Sequence, residues 1–283
     1  MVDNKELCQN TLKSKVCFSG IGLFTGEKTE VTIHPAHVNH GIVFKRVDLF
    51  DKPFILAKLE NVKETDRSTS VGLDKKNIQT VEHLLSALYA LKIDNALIEV
   101  KGPEIPIMDG SSNLFVKLIN EVGVQKQDSK NNILQLFEPV YFNERHVHII
   151  ALPSDEFRIS FAIHHPNCDI LKSQYYSFAE SDSYVKDIAP SRTFCIYEEI
   201  EPLINNNFLK GGSLDNAVIV KDGKIINKEG IRFSNEMVRH KILDMMGDLS
   251  LIGQRIKAHI IAVRSGHFTN ILFAKKLLNH LKS

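Results

Sequence analysis

Residues 237–254 constrain this chain more than any other segment. Val238, Ile242, Met245, Leu249 and Ile252 fall on one apolar stripe at helical spacing. Leu243, Met246 and Leu251 cover much of the remaining circumference, so the helix they predict is largely buried. Yet it carries His240, Asp244 and Asp248 at positions i, i+4 and i+8, a slowly drifting stripe of its own. Buried charge is costly unless it is paired or bound to metal. His and Asp one turn apart can ligate the same zinc ion. The same spacing also suits a polar helix edge bridged to Arg239 and Lys241, and this segment alone leaves both readings open.

The rest of the chain mixes strand and helix signals. Alternation or β-rich runs predict strands at residues 12–19, 29–34, 41–47, 95–101, 147–152, 157–163 and 259–264. Residues 215–220 and 224–227 flank Asp222-Gly223, a hairpin signal. Helical spacing predicts helices at 80–91, with Thr80 as N-cap, and at 114–122 and 270–281. Residues 125–132 contain no apolar side chain and are read as a linker between residues 1–124 and 133–283. The expected class is therefore α+β, as two layered domains.

Apolar residues make up 43% and charged residues 24%, which suits a soluble chain with a full core. The net charge of +1 gives no global field for nucleic acid, so any anion site is a local cluster. Cys8, Cys17, Cys168 and Cys195 form no CxxC pair, which speaks against a disulfide framework and for a reducing cytoplasm. The first ten residues are polar, and no run reaches the roughly 20 apolar residues of a membrane span, so neither a signal peptide nor stable membrane insertion is expected.

Glu82 and His83 open the helix expected at 80–91. An acidic residue there complements the helix dipole without further function. The geometry allows more: adjacent helical residues point about 100° apart, so His83 can ligate a metal while Glu82 reaches a bound water. A catalytic zinc takes about three protein ligands and keeps an open position. His83, His240 and Asp244 supply that count from two helices, with Glu82 as the base. Ser265-Gly266-His267 follows the last expected strand, which places His267 at a strand end unless it is only a surface turn.

Five stretches taken together resemble the UDP-3-O-acyl-N-acetylglucosamine deacetylases, the zinc enzymes of lipid A biosynthesis. They are TVEHLLSALYALKIDNALIEVKGPEIPIMDGSS, SRTFCIYEEIEPL, GGSLDNAVIV, IRFSNEMVRHKILDMMGDLSLIG and RSGH, in the family's order and over most of the chain. The resemblance implies two α+β domains of similar topology with the active site between them and a small insert in each. The second insert, near residues 197–226, is expected to form a passage for an acyl chain. The resemblance places the metal ligands on His83, His240 and Asp244 and the general base on Glu82. It gives the catalytic histidine as His267, oriented by Asp248, and an oxyanion-holding threonine as Thr193. Phe194 then packs on the sugar and Lys241 lies near the substrate.

The implied cofactor is Zn2+, although Fe2+ can use the same two-His, one-Asp set. The implied substrate is a UDP-linked, acylated N-acetylglucosamine, and the enzyme is expected to act as a monomer. Three positions depart from the family's pattern. Phe24 stands where histidine is frequent, near the nucleotide phosphates, and Ile163 stands where an aromatic faces the uracil. Arg264 replaces a frequent lysine and is expected to contact the diphosphate, with bidentate geometry.

Overall fold

Side chains alternate along Lys28–Pro35 in the computed structural model, which describes residues 8–282: Thr29, Val31 and Ile33 are buried and Lys28 and Glu30 exposed. This is the two-residue period of a half-buried strand. The strand belongs to a five-stranded sheet with Val16–Ile21, Ile42–Arg46, Phe54–Leu56 and Ala96–Lys101. A second five-stranded sheet contains Val140–Glu144, Val147–Leu152, Arg158–Ile163, Gln174–Ala179 and His259–Val263.

Counted along the chain, both sheets have the spatial order first, second, fifth, third, fourth. In both, the fifth strand is antiparallel to the second and parallel to the third. The two halves thus share one topology, and the class is α+β as expected.

The described helices are α1 (Glu82–Ala90), α2 (Asn113–Val122), α3 (Tyr184–Asp187), α4 (Tyr197–Asn205), α5 (Glu236–Ser250) and α6 (His267–Lys282). Joining parallel strands requires a crossover. The crossover into the fifth strand carries α1 in the first half and α5 in the second, while α2 and α6 follow the fifth strands. These two crossover helices pack against each other. A single apolar core, including Leu84, Leu85 and Leu88 of α1 and Met245, Met246 and Leu249 of α5, runs through both halves.

Each crossover also carries an insert. The first is the hairpin Val71–Leu73 with Lys76–Ile78. The second includes α4 and a three-stranded sheet of Phe194–Ile196, Val218–Lys221 and Lys224–Ile225. Asp222 and Gly223 both take positive φ, 49° and 69°, as the hairpin signal requires.

Several local expectations are corrected. The run at 12–19 is two strands, because Cys8–Leu12 leaves the sheet to pair with Val124–Lys130. The polar stretch read as a linker is therefore mostly strand. It needs no apolar face because main-chain bonds and the Gln127 amide, bonded to Ala36 O and to Asn95, hold it.

Thr80 is not a helix cap. It sits at φ 59°, and its hydroxyl donates to Glu104 while α1 starts two residues later. His267 opens α6 rather than ending a strand. Among the described residues no helix is long and apolar enough to cross a membrane.

Candidate metal centre and active cleft

His83 lies in the first turn of α1, and His240 and Asp244 lie one turn apart on α5. All three are buried. Asp244 Oδ1 stands 3.2 Å from His240 Nε2 and 3.6 Å from His83 Nε2, with the two rings edge to face. Ligands about 2.0–2.1 Å from a tetrahedral metal lie about 3.3 Å apart, so these gaps match two edges of such a site.

The hydrogen bonds agree with that reading. His240 Nδ1 donates to Ser191 O at 3.0 Å, which leaves Nε2 as the lone-pair atom. Among the described residues, Asp244 Oδ1 and His83 Nδ1 are buried with no hydrogen-bond partner. Burial pulls the His83 pKa down, favouring the neutral ligand form. Burial opposes charge on Asp244, but His240 and Lys241 outweigh it and hold the group well below the usual carboxylate range. An acceptor left bare among two imidazoles is what a bound cation satisfies. The residues fit a metal ion.

Glu82 and His267 stand beside this trio without belonging to it. His267 Nε2 is 3.8 Å from Glu82 Oε1 and 3.9 Å from Asp244 Oδ2. Behind it, Nδ1 bonds Asp248 Oδ2 at 2.9 Å. Asp248, fully buried, also accepts from Thr69 Oγ1 at 2.5 Å and Asn270 Nδ2 at 2.9 Å. Burial raises the Glu82 pKa, and Asp248 and Asp244 add to the rise against the pull of His267. Burial disfavours charge on His267, but Asp248 and Glu82 more than reverse it and raise its pKa. A carboxyl whose pKa is raised and an imidazole whose cationic form is favoured thus face each other across one gap.

The gap opens into a cleft of about 440 Å³. Thr193, Phe194 and Lys241 line it with the residues above. Lys241 Nζ bonds Asp244 Oδ2 at 2.8 Å and lies 5.8 Å from the Phe194 ring centre. The second insert closes one side: Lys210 and Gly211 donate main-chain bonds to Phe24 O and Leu23 O. Sequence reasoning missed Thr69, Ser191 and Asn270, which act through atoms no motif marks. It also missed Arg67 and His165, which line the cleft.

A profile of the LpxC family, described as UDP-3-O-acyl N-acetylglycosamine deacetylase, matches residues 9–279. The chain belongs to the LpxC family. Proteins named UDP-3-O-acyl-N-acetylglucosamine deacetylase from Chlamydia pneumoniae and Chlamydia caviae are each 44% identical to it, covering 98% of this chain and 99% of their own length. The namesake from Chlamydia trachomatis serovar L2 is 44% identical over 97% of this chain and 96% of its own.

Within this LpxC chain two positions expected near the substrate lie off the cleft wall. Ile163 is buried in the second sheet and does not line the cleft, so it offers no apolar face to a base. Arg264 is exposed at φ 60° beyond the fifth strand and is also outside the cleft lining. The left-handed turn there carries the chain into α6, and the arginine that lines the cleft is Arg67. Phe24 does line it.

Proposed function

We propose that this chain is a zinc-dependent amidohydrolase that removes the acetyl group of UDP-3-O-acyl-N-acetylglucosamine, the committed step of lipid A biosynthesis. The observation that carries this reading is the convergence of ligand atoms of His83, His240 and Asp244 within 4.8 Å of one another, with Glu82 and His267 at the rim. Family membership supplies the substrate class. We assign two domains that meet between residues 130 and 133, the strand Val124–Lys130 going with the first half because it pairs with Cys8–Leu12, with the cleft at their seam.

Zinc held by His83, His240 and Asp244 would supply a Lewis acid for the acetamide carbonyl and would lower the pKa of a water toward about 7. Glu82 takes a proton from the attacking water as the new C–O bond forms. Thr193, on the cleft wall, donates to the oxyanion that develops on the carbonyl. His267, held cationic by Asp248, donates its Nε2 proton to the amine as the C–N bond breaks. The proton held by Glu82 then resets His267 across the 3.8 Å between them. Phe194 packs on the sugar, and Lys241 places its ammonium on the substrate side of Asp244.

Acetate release from the UDP-acylated substrate, measured before chelation, after it and after zinc is restored, tests this. Release should stop with the chelator and return with zinc. No release by the zinc-loaded protein would overturn the assignment.

A further inference from the structure

Arg192 and Glu236 form an ion pair that lines no part of the cleft, yet both are almost completely buried, at 1% and 0% exposure. Arg192 donates from its main-chain N and from Nε to Glu236 Oε1, at 3.0 and 2.9 Å, and from Nη2 to Oε2 at 3.2 Å. Its remaining donors reach Glu229 Oε1 at 2.7 Å and Gly230 O at 2.8 Å. Glu236 also accepts from the main-chain N of Arg232. Burial opposes the Glu236 charge, but the bonds from Arg192 outweigh it and keep the carboxyl below its ordinary range.

A buried ion pair is a poor way to stabilise a fold, since apolar side chains of similar volume do as well or better. What this pair does fix is the relation of two segments. Glu236 is the first residue of α5, one turn before His240. Arg192 lies between Ser191, whose carbonyl accepts from His240 Nδ1 at 3.0 Å, and the cleft residues Thr193 and Phe194. The pair therefore straps residues 191–194 onto the helix that carries two of the three ligand atoms. While Ser191 O receives the Nδ1 proton, Nε2 keeps its lone pair toward Asp244 and His83.

We propose that the Arg192–Glu236 pair is a positioning device for the metal centre, holding the Ser191 carbonyl against His240 Nδ1 and so fixing the tautomer and ring angle of that ligand. This rests on His83, His240 and Asp244 being the metal site. Outer partners of metal-bound histidines are typically worth about 10–100-fold in affinity.

Zinc affinity, measured by competition with a chromophoric chelator, tests the proposal on four proteins. These are the wild type, Arg192→Met/Glu236→Leu, Arg192→Lys, and the control Arg255→Met/Asp94→Leu, which removes another ion pair (3.1 Å) outside the cleft. The Arg192/Glu236 double variant should bind zinc about 10–100-fold more weakly, and Arg192→Lys, which keeps the charge but not the fork, about tenfold more weakly. The control should bind as wild type does.

In metal-free protein, the ring nitrogen chemical shifts of His240 should report the Nδ1-protonated form in wild type and a mixture in the double variant. Wild-type affinity in the double variant, or an equal loss in the control, overturns the proposal. If the double variant does not fold, Arg192→Lys is judged by the same criterion. Absence of zinc binding in the wild type would overturn the metal-site reading itself.

Discussion

Gly247 sits where α5 crosses the catalytic end of α1, and Gly247→Ala separates two opposed forces. A glycine-to-alanine change inside a helix normally stabilises by about 1 kcal/mol. Here a Cβ would stand 2.2 Å from Glu82 O and 2.8 and 2.9 Å from Glu82 C and Cα. These are main-chain atoms of a packed helix and cannot swing aside. Reaching ordinary contact at 3.4 Å requires a relative shift of about 1.2 Å between α1 and α5.

Overpacking of this kind costs about 1–3 kcal/mol, more than the propensity gain. The net loss of up to about 2 kcal/mol corresponds to a melting point lower by up to about 8 °C. The shift also moves Glu82 and His83 against His240 and Asp244, and a 1 Å misplacement costs about 10²-fold in rate. Acetate release at saturating substrate and a thermal melt, both on zinc-loaded protein, measure the two effects. A variant that melts higher and turns over like wild type would refute the close approach.

Three further outcomes follow from the site. His240→Ala should lose most of its zinc, read by metal analysis after gel filtration, and full zinc with full activity would remove it from the ligand set. Glu82→Gln and His267→Ala should each turn over about 10²-fold more slowly while keeping zinc, and near-normal turnover in either removes that residue from the acid–base pair. Arg67→Ala should raise KM for the UDP substrate more than it lowers kcat, with an effect that weakens in salt, whereas Arg264→Ala should leave KM unchanged. The reverse pattern would restore Arg264 as the phosphate contact.

The residue types of the candidate site were legible because their chemistry conflicts with their surroundings. An apolar helix that keeps His240, Asp244 and Asp248 states the conflict in sequence alone, and the structure buries all three. Spacing could not show which distant atoms complete them. Thr69 and Asn270 reach Asp248 from 179 and 22 residues away, and Ser191 contributes only a carbonyl. Thr80 misled for a physical reason. A threonine before a helical run usually caps it, but the buried carboxylate of Glu104 competes for its hydroxyl and also holds Phe24 N and Thr25 N. That satisfied carboxylate offsets a left-handed backbone that a β-branched residue rarely takes. Counting along an expected strand also cannot foresee the left-handed turn that ends it at Arg264.

The shared topology explains why the site lies where it does. Each sheet must admit its fifth strand parallel to the third, so each half needs a crossover helix on one face of its sheet. Each crossover helix is apolar on more sides than its own sheet can cover: Glu82 to Leu88 of α1 are all buried, as is most of α5. Packing α1 on α5 buries both remaining faces at once. The seam so formed is buried, and charged groups within it are costly unless satisfied by one another or by a cation. His83 comes from one half and His240 and Asp244 from the other, so the full ligand set exists only while the halves are docked. A metal ion bound at the site would thereby be linked to the cost of burying those groups and would hold the two halves together.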